Sequence, residues 1–426
     1  MAAGPRDSDE PWWARAPRVR WVGGNQVQLL EGGDQLFPAM VAALAMARSE
    51  VWLATYIFHD DAASRRVADA LVAAARRGVL VHAVVDGFGC KATLHTVRGW
   101  LADSGVRLEV FRPMDRWWQW FQPQQLRRLH HKLCVVDEQM AFVGGINIID
   151  DRNDLNHGPT DTPRLDFAVA ISGPLAAPVR HAARAMWARA HLGHRWRREA
   201  QKLLASPTPV DRTRQLLRVL GAAPPAQAPP PRDPRPVRAA FVVRDNVGQR
   251  RAIERRYIDA MRQARRHIDI AVPYFYPGRR FRRALGDAAQ RGVQVRLLLQ
   301  GKVDYPIAAL AARALYDELR AQGVRIYEYT PAFLHAKVAR VDERWATVGS
   351  SNIDPLSLLL NLEANVFVRD PGFSATLAAR LDAAFAVSAE ITREQPIAGW
   401  RRRLRRGLVA WVAYAYLRLA GVAGRY

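Results

Sequence analysis

The chain of 426 residues has only two cysteines, Cys90 and Cys134, and no stretch in which Cys and His recur at the spacing of a zinc site. A disulfide framework is therefore excluded as the basis of the fold. The sequence indicates neither a structural metal nor a cofactor. A reducing compartment is the expected environment.

Long apolar runs are also missing. Residues Met1–Gly23 mix acidic side chains with three tryptophans, and no window approaches the roughly eighteen apolar residues of a membrane-spanning helix. The best candidate, Leu408–Leu417, is ten residues long and is followed by Arg418. We therefore predict neither a signal peptide nor a spanning segment.

Lysine is scarce although the chain is strongly basic. Lys and Arg number 63 against 40 Asp and Glu, which gives a net charge of +23. Such a balance predicts attraction to polyanions, either nucleic acid or an anionic membrane surface. Only five of the cations are lysines, and these are candidates for positions that need a compact ammonium group: Lys91, Lys132, Lys202, Lys302 and Lys337.

The chain repeats one order of predicted elements. In the first half, helix and strand patterns alternate over Leu36–Ala47, Val51–Phe58, Ala68–Ala75 and Val79–Val85. In the second half the same order returns over Ile253–Ala264, Ile268–Phe275, Phe281–Gln290 and Val293–Leu299. Strands and helices alternating in this way predict a duplicated α/β unit with a mixed or largely parallel sheet.

A proline-rich segment, residues 222–237, separates the two repeats. Its proline and alanine content disfavours both helix and sheet, so we predict a semi-rigid linker. The predicted domains are residues 1–221 and 238–397, followed by a tail over 398–426.

Each half contains the same constellation of polar residues, offset by 205 positions without a gap. The first set is His130, Lys132, Asp137 and Asn147, and the second is His335, Lys337, Asp342 and Asn352. Because side chains alternate along a strand, His and Lys two positions apart lie on the same face. The Asp then falls at a turn, and glycines before the Asn permit a close backbone approach. Two such units facing each other predict a metal-free site for a tetrahedral phosphoryl group.

These motifs form the duplicated HKD signature, and the sequence resembles the phospholipase D superfamily over nearly its whole length. The resemblance implies two α/β domains in a pseudo-twofold arrangement, with the active site at their interface. It also implies that one motif histidine becomes covalently phosphorylated while the other acts as acid and base. By family analogy His130 is the nucleophile and His335 the acid/base, but the two halves could exchange these roles.

The resemblance also assigns supporting residues. The side chains that would hold the phosphoryl oxygens are Lys132, Lys337, Asn147 and Asn352. Asp137 and Asp342 belong to the catalytic motif, but their position at a turn favours a bracing role.

Two carboxylates complete the predicted site. Glu363 looks like the family's acidic partner for a motif histidine, and Asp166 is its counterpart in the first half. The alternative for both is an ordinary carboxylate at a strand edge. His131 is extra to the motif and is predicted to point away from the site.

Within the superfamily, the closest resemblance is to the shorter, B-type bacterial cardiolipin synthases. It is carried by Tyr56–Phe58, Ala75–Val79, Asp86–Gly89 and Val348–Ser357. This implies transfer of a phosphatidyl group between two phosphatidylglycerol molecules with release of glycerol. A phospholipid hydrolase or a nuclease of the same superfamily is the alternative, because the positive charge also suits nucleic acid. A non-enzymatic membrane-binding protein would require decayed motifs, and both are intact.

Aromatic and basic clusters predict contact with a membrane surface. Trp117, Trp118, Trp120 and Phe121 precede the first motif, and the basic run Trp400–Arg406 precedes the short apolar segment. Such mixtures are typical of interfacial anchors on anionic lipid. The alternatives are a buried aromatic patch and a terminal helix docked on the core. We expect a peripheral protein on the cytoplasmic face of the cell membrane, with anionic phospholipids rather than nucleic acid as partners and no expectation for the oligomeric state.

Overall fold

The computed structural model describes residues 20–113, 127–155, 157–204, 237–244, 249–302, 309, 312–354 and 361–392. Three sequence predictions lie outside these residues: the aromatic cluster at 117–121, the linker apart from Val237, and the basic and apolar tail. In the part of the chain that is described, no helix is both long and apolar enough to cross a bilayer.

The first half consists of alternating strands and helices around a sheet. Its strands are β1 Val22–Glu31, β2 Glu50–Thr55, β3 Leu80–Asp86, β4 Arg107–Phe111, β5 Arg128–Leu129, β6 Leu133–Val136, β7 Met140–Gly144, β8 Asn153–Asp154, β9 Gly158–Pro159 and β10 Phe167–Ser172. Its helices are α1 Gly32–Ala45, α2 Ala62–Arg76, α3 Leu94–Leu101 and α4 Ala176–Leu204.

The second half repeats this order. Its strands are β11 Val237–Arg244, β12 His267–Ala271, β13 Gln294–Gln300, β14 Arg325–Tyr329, β15 Val338–Val341, β16 Trp345–Gly349, β17 Asn361–Arg369 and β18 Ala389–Glu390. Its helices are α5 Ala252–Gln263, α6 Arg279–Gln290, α7 Tyr316–Ala321 and α8 Pro371–Ala386.

The two halves share one 16-stranded sheet, counted over the described residues. The first half runs in the order β4-β3-β2-β6-β7-β10-β1, and the second continues as β11-β17-β16-β15-β12-β13-β14-β18, while the sixteenth strand, β5, pairs with β17 off this path. Strands β2, β3 and β4 are parallel, as are β12, β13 and β14, and the remaining neighbours on this path are antiparallel. β1 and β11 join the halves at the centre. The predicted duplicated α/β fold with a mixed sheet is confirmed.

Two predicted strands end earlier than their apolar runs suggest. β2 stops at Thr55, after which Phe58 forms a bridge with Ile148. β12 stops at Ala271, and Phe275 forms the corresponding bridge with Ile353. In each half the apolar run therefore leaves the main sheet to pair with the residue that follows the motif asparagine. This pairing fixes the loop that carries the asparagine.

Apolar side chains fill both faces of the sheet. Helices α1 to α3 cover one face of the first half, and α5 to α7 cover that of the second. A third cluster lies under α4 and α8 and draws on both halves, including Leu129, Leu165, Leu334 and Leu362. Each buried leucine contributes about 1.5–3 kcal/mol to folding. This shared core therefore holds the halves together directly behind the motif residues.

Candidate active site

The two motif histidines meet where the halves join, because each is carried by a segment that pairs with the other half. β5 runs parallel to the start of β17, and the His130 N–H donates to the Leu362 carbonyl at 3.0 Å. In the mirror arrangement Leu165 bridges to Leu334, and the His335 N–H donates to the Leu165 carbonyl at 2.9 Å. Backbone hydrogen bonds thus hold both histidines at the interface.

Each histidine ring contacts a carboxylate of the opposite half. Nδ1 of His130 lies 2.9 Å from Oε2 of Glu363, and Nδ1 of His335 lies 2.5 Å from Oδ2 of Asp166. Both carboxylates are buried, with Glu363 0% and Asp166 1% exposed. Because Nδ1 is engaged, Nε2 is the nitrogen that each ring can offer to a substrate. Neither half contains a complete pair by itself.

The motif lysines lie beside their histidines. Nζ of Lys132 donates to the His130 carbonyl at 2.9 Å, and Nζ of Lys337 donates to the His335 carbonyl. Burial lowers the pKa of Lys132 to about 7 and that of Lys337 to about 8. An anion placed between the two ammonium groups would raise both pKa values again, so they are suited to a phosphoryl group.

The motif asparagines are buried in the same region. Oδ1 of Asn147 accepts the Ile57 N–H at 3.2 Å, so that its amide nitrogen remains for another acceptor. Oδ1 of Asn352 has no hydrogen-bond partner, although the residue is only 8% exposed. A buried polar atom without a partner is uncommon in proteins. The carbonyl oxygen of Asn352 is thus left for a hydrogen-bond donor.

Gly145 and Ser350 occupy equivalent positions directly after β7 and β16, and each lies next to the buried carboxylate of its own half. A Cβ atom at Gly145 would lie 2.3 Å from Oδ1 of Asp166, so a side chain cannot be accommodated there. At the equivalent position, Ser350 donates its hydroxyl to Oε2 of Glu363 at 2.5 Å. Glu363 therefore receives a hydrogen bond that Asp166 does not receive from the matching residue.

The two His–carboxylate pairs differ in charge. Burial acts to raise the pKa of Glu363, but the contact with His130 and nearby cationic side chains outweigh it and lower that pKa. Burial raises the pKa of Asp166 to about 7. Burial also lowers the pKa of His130 to about 4 and that of His335 well below its usual value. Near neutral pH, Glu363 thus stays ionised beside a neutral ring, whereas the Asp166–His335 pair gains or loses one proton.

The site therefore combines two imidazoles, two ammonium groups and two amides, with a carboxylate behind each imidazole. The charge of Lys132 acts on both carboxylates and on both histidines, so these groups form one electrostatic unit. Such a set can bind a tetrahedral phosphoryl group, with one ring nitrogen as nucleophile and the other as proton donor.

A match to a protein-family model shows which family the chain belongs to. The model described as "Cardiolipin synthase, PLD-like domain" matches residues 40–158 and 257–386. Each match contains one motif histidine, and together they cover more than half of the sequence. The chain belongs to this family.

Individual cardiolipin synthases are similar over most of the chain. The identity to cardiolipin synthase B of Salmonella typhimurium strain LT2 is 38%, over 84% of this chain and 79% of that protein. The identity to cardiolipin synthase B of Escherichia coli K12 is 36%, over 88% of this chain and 83% of that protein. Cardiolipin synthase A of Pseudomonas putida is 31% identical, over 88% and 72% of the two chains.

A solved structure shares the fold. The crystal structure of phosphatidylserine synthase from Haemophilus influenzae Rd KW20 superposes with a TM-score of 0.65, over 95% of this chain and 97% of that chain. The sequence identity is 12%, so the likeness concerns the fold. Together with the family model, it confirms the predicted membership of the phospholipase D superfamily.

The aspartates of the two HKD motifs lie at the hairpin turns, and the structure does not bring them to the histidines. Asp137 and Asp342 have φ values of 52° and 49°, in the left-handed region that Asp tolerates better than most residues. Each carboxylate accepts hydrogen bonds from three successive backbone N–H groups that lead into β2 or β12. These donors are Arg48, Ser49, Glu50, Arg265, Arg266 and His267.

Asp86 and Gln300 support the site, although the sequence reasoning assigned them no role. They end the equivalent strands β3 and β13. Asp86 accepts the Leu129 N–H at 2.9 Å, and Gln300 accepts the Leu334 N–H at 2.7 Å. Each side chain therefore fixes the residue just before a motif histidine. Both appear in the sequence directly before a glycine at a predicted strand end, which was the available signal.

Two aromatic side chains also neighbour the first motif. The centre of the Tyr56 ring lies 5.1 Å from that of His130, and Nζ of Lys132 lies 5.3 Å from the same ring. His131 is fully buried, and neither of its ring nitrogens has a hydrogen-bond partner. Burial lowers the pKa of His131 to about 4, so this ring is neutral.

Proposed function

We propose that this protein is a phosphatidyltransferase that makes cardiolipin from two phosphatidylglycerol molecules and releases glycerol. The observation that carries the proposal is the pair of histidines, each held through Nδ1 by a buried carboxylate of the opposite half. Similarity to cardiolipin synthases B and A supports phosphatidylglycerol as the substrate.

His130 is the nucleophile in this proposal. Its neutral ring offers the Nε2 lone pair, and attack on phosphorus places a positive charge on the ring. The ionised Glu363 stabilises that charge, and the hydroxyl of Ser350 on the same Oε2 favours the ionised carboxylate. Asp166, with its raised pKa, is less suited to this task near neutral pH.

His335 is the acid and base. It protonates the departing glycerol oxygen and later takes the proton of the attacking hydroxyl. The Asp166–His335 pair suits both steps, because the pKa of Asp166 near 7 allows the pair to hold or release a proton at neutral pH. The side chains that hold the phosphoryl oxygens are Lys132, Lys337, Asn147 and Asn352, while Asp137 and Asp342 brace the hairpins.

Because the substrate lies in a bilayer, the proposal places the protein peripherally on the cytoplasmic face of the cell membrane. The net charge of +23 supports attraction to anionic phospholipids rather than to a neutral surface. Phe88 and Leu155 are 40% and 55% exposed and could contact lipid. Phe88 packs under Arg128, which leads into His130, so lipid contact there would lie close to the reacting group.

Product analysis tests the proposal. Purified protein on phosphatidylglycerol vesicles should form cardiolipin and glycerol in equal amounts, and His130→Ala and His335→Ala should abolish both. His95→Ala, at an exposed histidine, is the matched control. Phosphatidic acid as the only lipid product would refute transfer and favour a hydrolase. Cleavage of DNA in the presence of a chelator would favour the nuclease alternative, which the positive charge also allows.

A further inference from the structure

A cation and an aromatic ring flank the active site beside His130. The Arg128 guanidinium lies 5.3 Å from the centre of the Phe88 ring. Arg128 directly precedes Leu129, whose N–H donates to Asp86, and Phe88 follows Asp86 by two residues. The pair is therefore fixed at the end of β3.

The same pair flanks His335, with cation and ring exchanged. Nζ of Lys302 lies 5.6 Å from the centre of the Phe333 ring. Phe333 directly precedes Leu334, whose N–H donates to Gln300, and Lys302 follows Gln300 by two residues. The Phe333 ring thus occupies the position in the second half that is equivalent to Arg128 in the first half. Both halves therefore keep a cation–aromatic pair next to the residue that precedes the motif histidine.

The cations of the two pairs, Arg128 and Lys302, differ in the negative charge that lies near them. Arg128 lies 3.8 Å from the buried carboxylate of Asp86, whereas the equivalent Gln300 carries no charge. Nζ of Lys302 donates to the Pro331 carbonyl at 3.3 Å. An ammonium group has three N–H bonds, so Lys302 can also donate to a ligand.

Arg164 adds a second cation beside His335. Arg164 directly precedes Leu165, whose carbonyl accepts the His335 N–H. Burial is the largest cause of the low pKa of His335, and the positive charge of Arg164 lowers that pKa further. Its guanidinium donates to the Asn153 carbonyl at 3.0 Å and lies 3.6 Å from the Asp154 carboxylate. The strand registers place the uncharged Asn361 at the equivalent position of the other half.

The proposed reaction brings a second anion to this flank. Once glycerol has left beside His335, the acceptor hydroxyl must occupy the same place, because His335 takes its proton. The acceptor is itself a phosphatidylglycerol, so its own phosphodiester lies one glycerol unit from the attacking oxygen. A neutral acceptor, such as glycerol or water, brings no such charge.

We infer that Lys302 and Arg164 bind the unreacted phosphodiester of the acceptor lipid, with Phe333 beside its glycerol, and so select phosphatidylglycerol over neutral acceptors. The inference rests on the proposed function with His130 as nucleophile. In the transfer step the acceptor O–H bond and the Nε2–P bond break, the new O–P bond forms, and the proton passes to His335. The bound phosphodiester is unchanged by the step.

Competition between acceptors tests this assignment. The enzyme is incubated with phosphatidylglycerol vesicles, labelled glycerol and glycerol 3-phosphate, and three products are measured: cardiolipin, labelled phosphatidylglycerol and phosphatidylglycerol phosphate. Glycerol 3-phosphate carries the anion without a lipid, so it separates recognition at the site from effects of the bilayer. For Lys302→Gln, the ratio of the two anionic-acceptor products to labelled phosphatidylglycerol should fall about tenfold, the scale of one charge-assisted hydrogen bond. Lys302→Arg should largely retain the ratio.

Two variants of the first half serve as controls. Lys91→Gln removes an exposed lysine from the loop after β3 and should leave the ratio unchanged. Arg127→Gln removes the charge that directly precedes Arg128 in the sequence. If it lowers the ratio and Lys302→Gln does not, the inference is wrong. An unchanged ratio in Lys302→Gln would also overturn it, while the proposed function would stand. A wild-type enzyme that forms neither cardiolipin nor labelled phosphatidylglycerol would overturn both.

Discussion

The substitution Glu363→Gln separates the charge of the His130 partner from the space that it fills. Oε2 of Glu363 contacts Nδ1 of His130 at 2.9 Å and accepts the Ser350 hydroxyl at 2.5 Å. Glutamine has nearly the same shape, but it can turn an NH₂ group toward His130. Nδ1 would then accept a hydrogen bond, and the ring proton would move to Nε2. That tautomer lacks the lone pair that attacks phosphorus.

The expected loss is about 10⁴-fold or more in the rate of phosphohistidine formation. It combines the wrong tautomer with the loss of the negative charge that stabilises the phosphorylated ring. Replacing the carboxylate of a serine-protease triad by an amide lowers kcat by about 10⁴ for the first of these reasons. A loss of about 10⁴ corresponds to about 5.4 kcal/mol in the activation barrier. Because Glu363 is fully buried, water cannot substitute for the missing charge.

Rapid-quench experiments with phosphatidylglycerol labelled in its phosphate measure this step in a single turnover. Ser350→Ala is the control, since it removes one hydrogen bond from Glu363 and keeps the charge, and it should cost about tenfold or less. Thermal melting of both variants shows whether the fold is intact. A Glu363→Gln enzyme that forms the adduct within about threefold of the wild-type rate would refute the role assigned to this carboxylate.

Three further predictions concern protons, the hairpins and metals. Formation of the phosphohistidine adduct needs the proton of the Asp166–His335 pair. Because the pKa of Asp166 lies at about 7, the rate of adduct formation should fall as the pH rises above that value. A single-turnover rate that stays constant up to about pH 9 would contradict the role of His335 as the acid. Asp137→Ala and Asp342→Ala should each lower the free energy of unfolding in urea by about 1–2 kcal/mol and leave kcat within about threefold. Lost turnover at unchanged stability would show that these residues act directly in catalysis. Because the motif side chains supply the nucleophile and the phosphoryl ligands, turnover on phosphatidylglycerol vesicles should persist in EDTA; a loss that Mg²⁺ restores would indicate a metal.

The local geometry of the site was partly predictable from the sequence. The gapless repeat of one spacing in both halves leaves little room for chance, and it predicted that His and Lys share one face of a strand. The structure instead places each His and Lys in the irregular segment directly before β6 or β15, where the histidine carbonyl lies within reach of its lysine. The turn position of Asp137 and Asp342 follows from the same local pattern.

The exchange of partners between the halves was not predictable. Glu363 and Asp166 stood out in the sequence, but which histidine each contacts depends on short pairings between distant segments. β5 spans two residues, and Leu165 and Leu334 form a single bridge. Such short contacts leave no periodic signal in the sequence. The continuous sheet through β1 and β11 was also missed, because β11 begins at Val237, the last residue of the predicted proline-rich linker.

The equivalence of Asp86 and Gln300 shows a further limit of sequence reasoning. The two residues differ in charge, so a search for repeated chemistry passes over them. Only the strand registers and the shared hydrogen bond to the residue before each motif histidine identify them as counterparts. Lys302, by contrast, stood out from the sequence as one of five lysines, without an assigned role.

Isolation of the covalent intermediate tests the account most directly. The enzyme is mixed with phosphatidylglycerol labelled in its phosphate, quenched in alkali within one turnover and digested, and the labelled peptide is identified by mass spectrometry. We expect an acid-labile, alkali-stable adduct on the peptide that contains His130, and no adduct in His130→Ala. An adduct on His335 would reverse the assigned roles, and turnover without any phosphorus–nitrogen adduct would contradict the phosphohistidine mechanism itself.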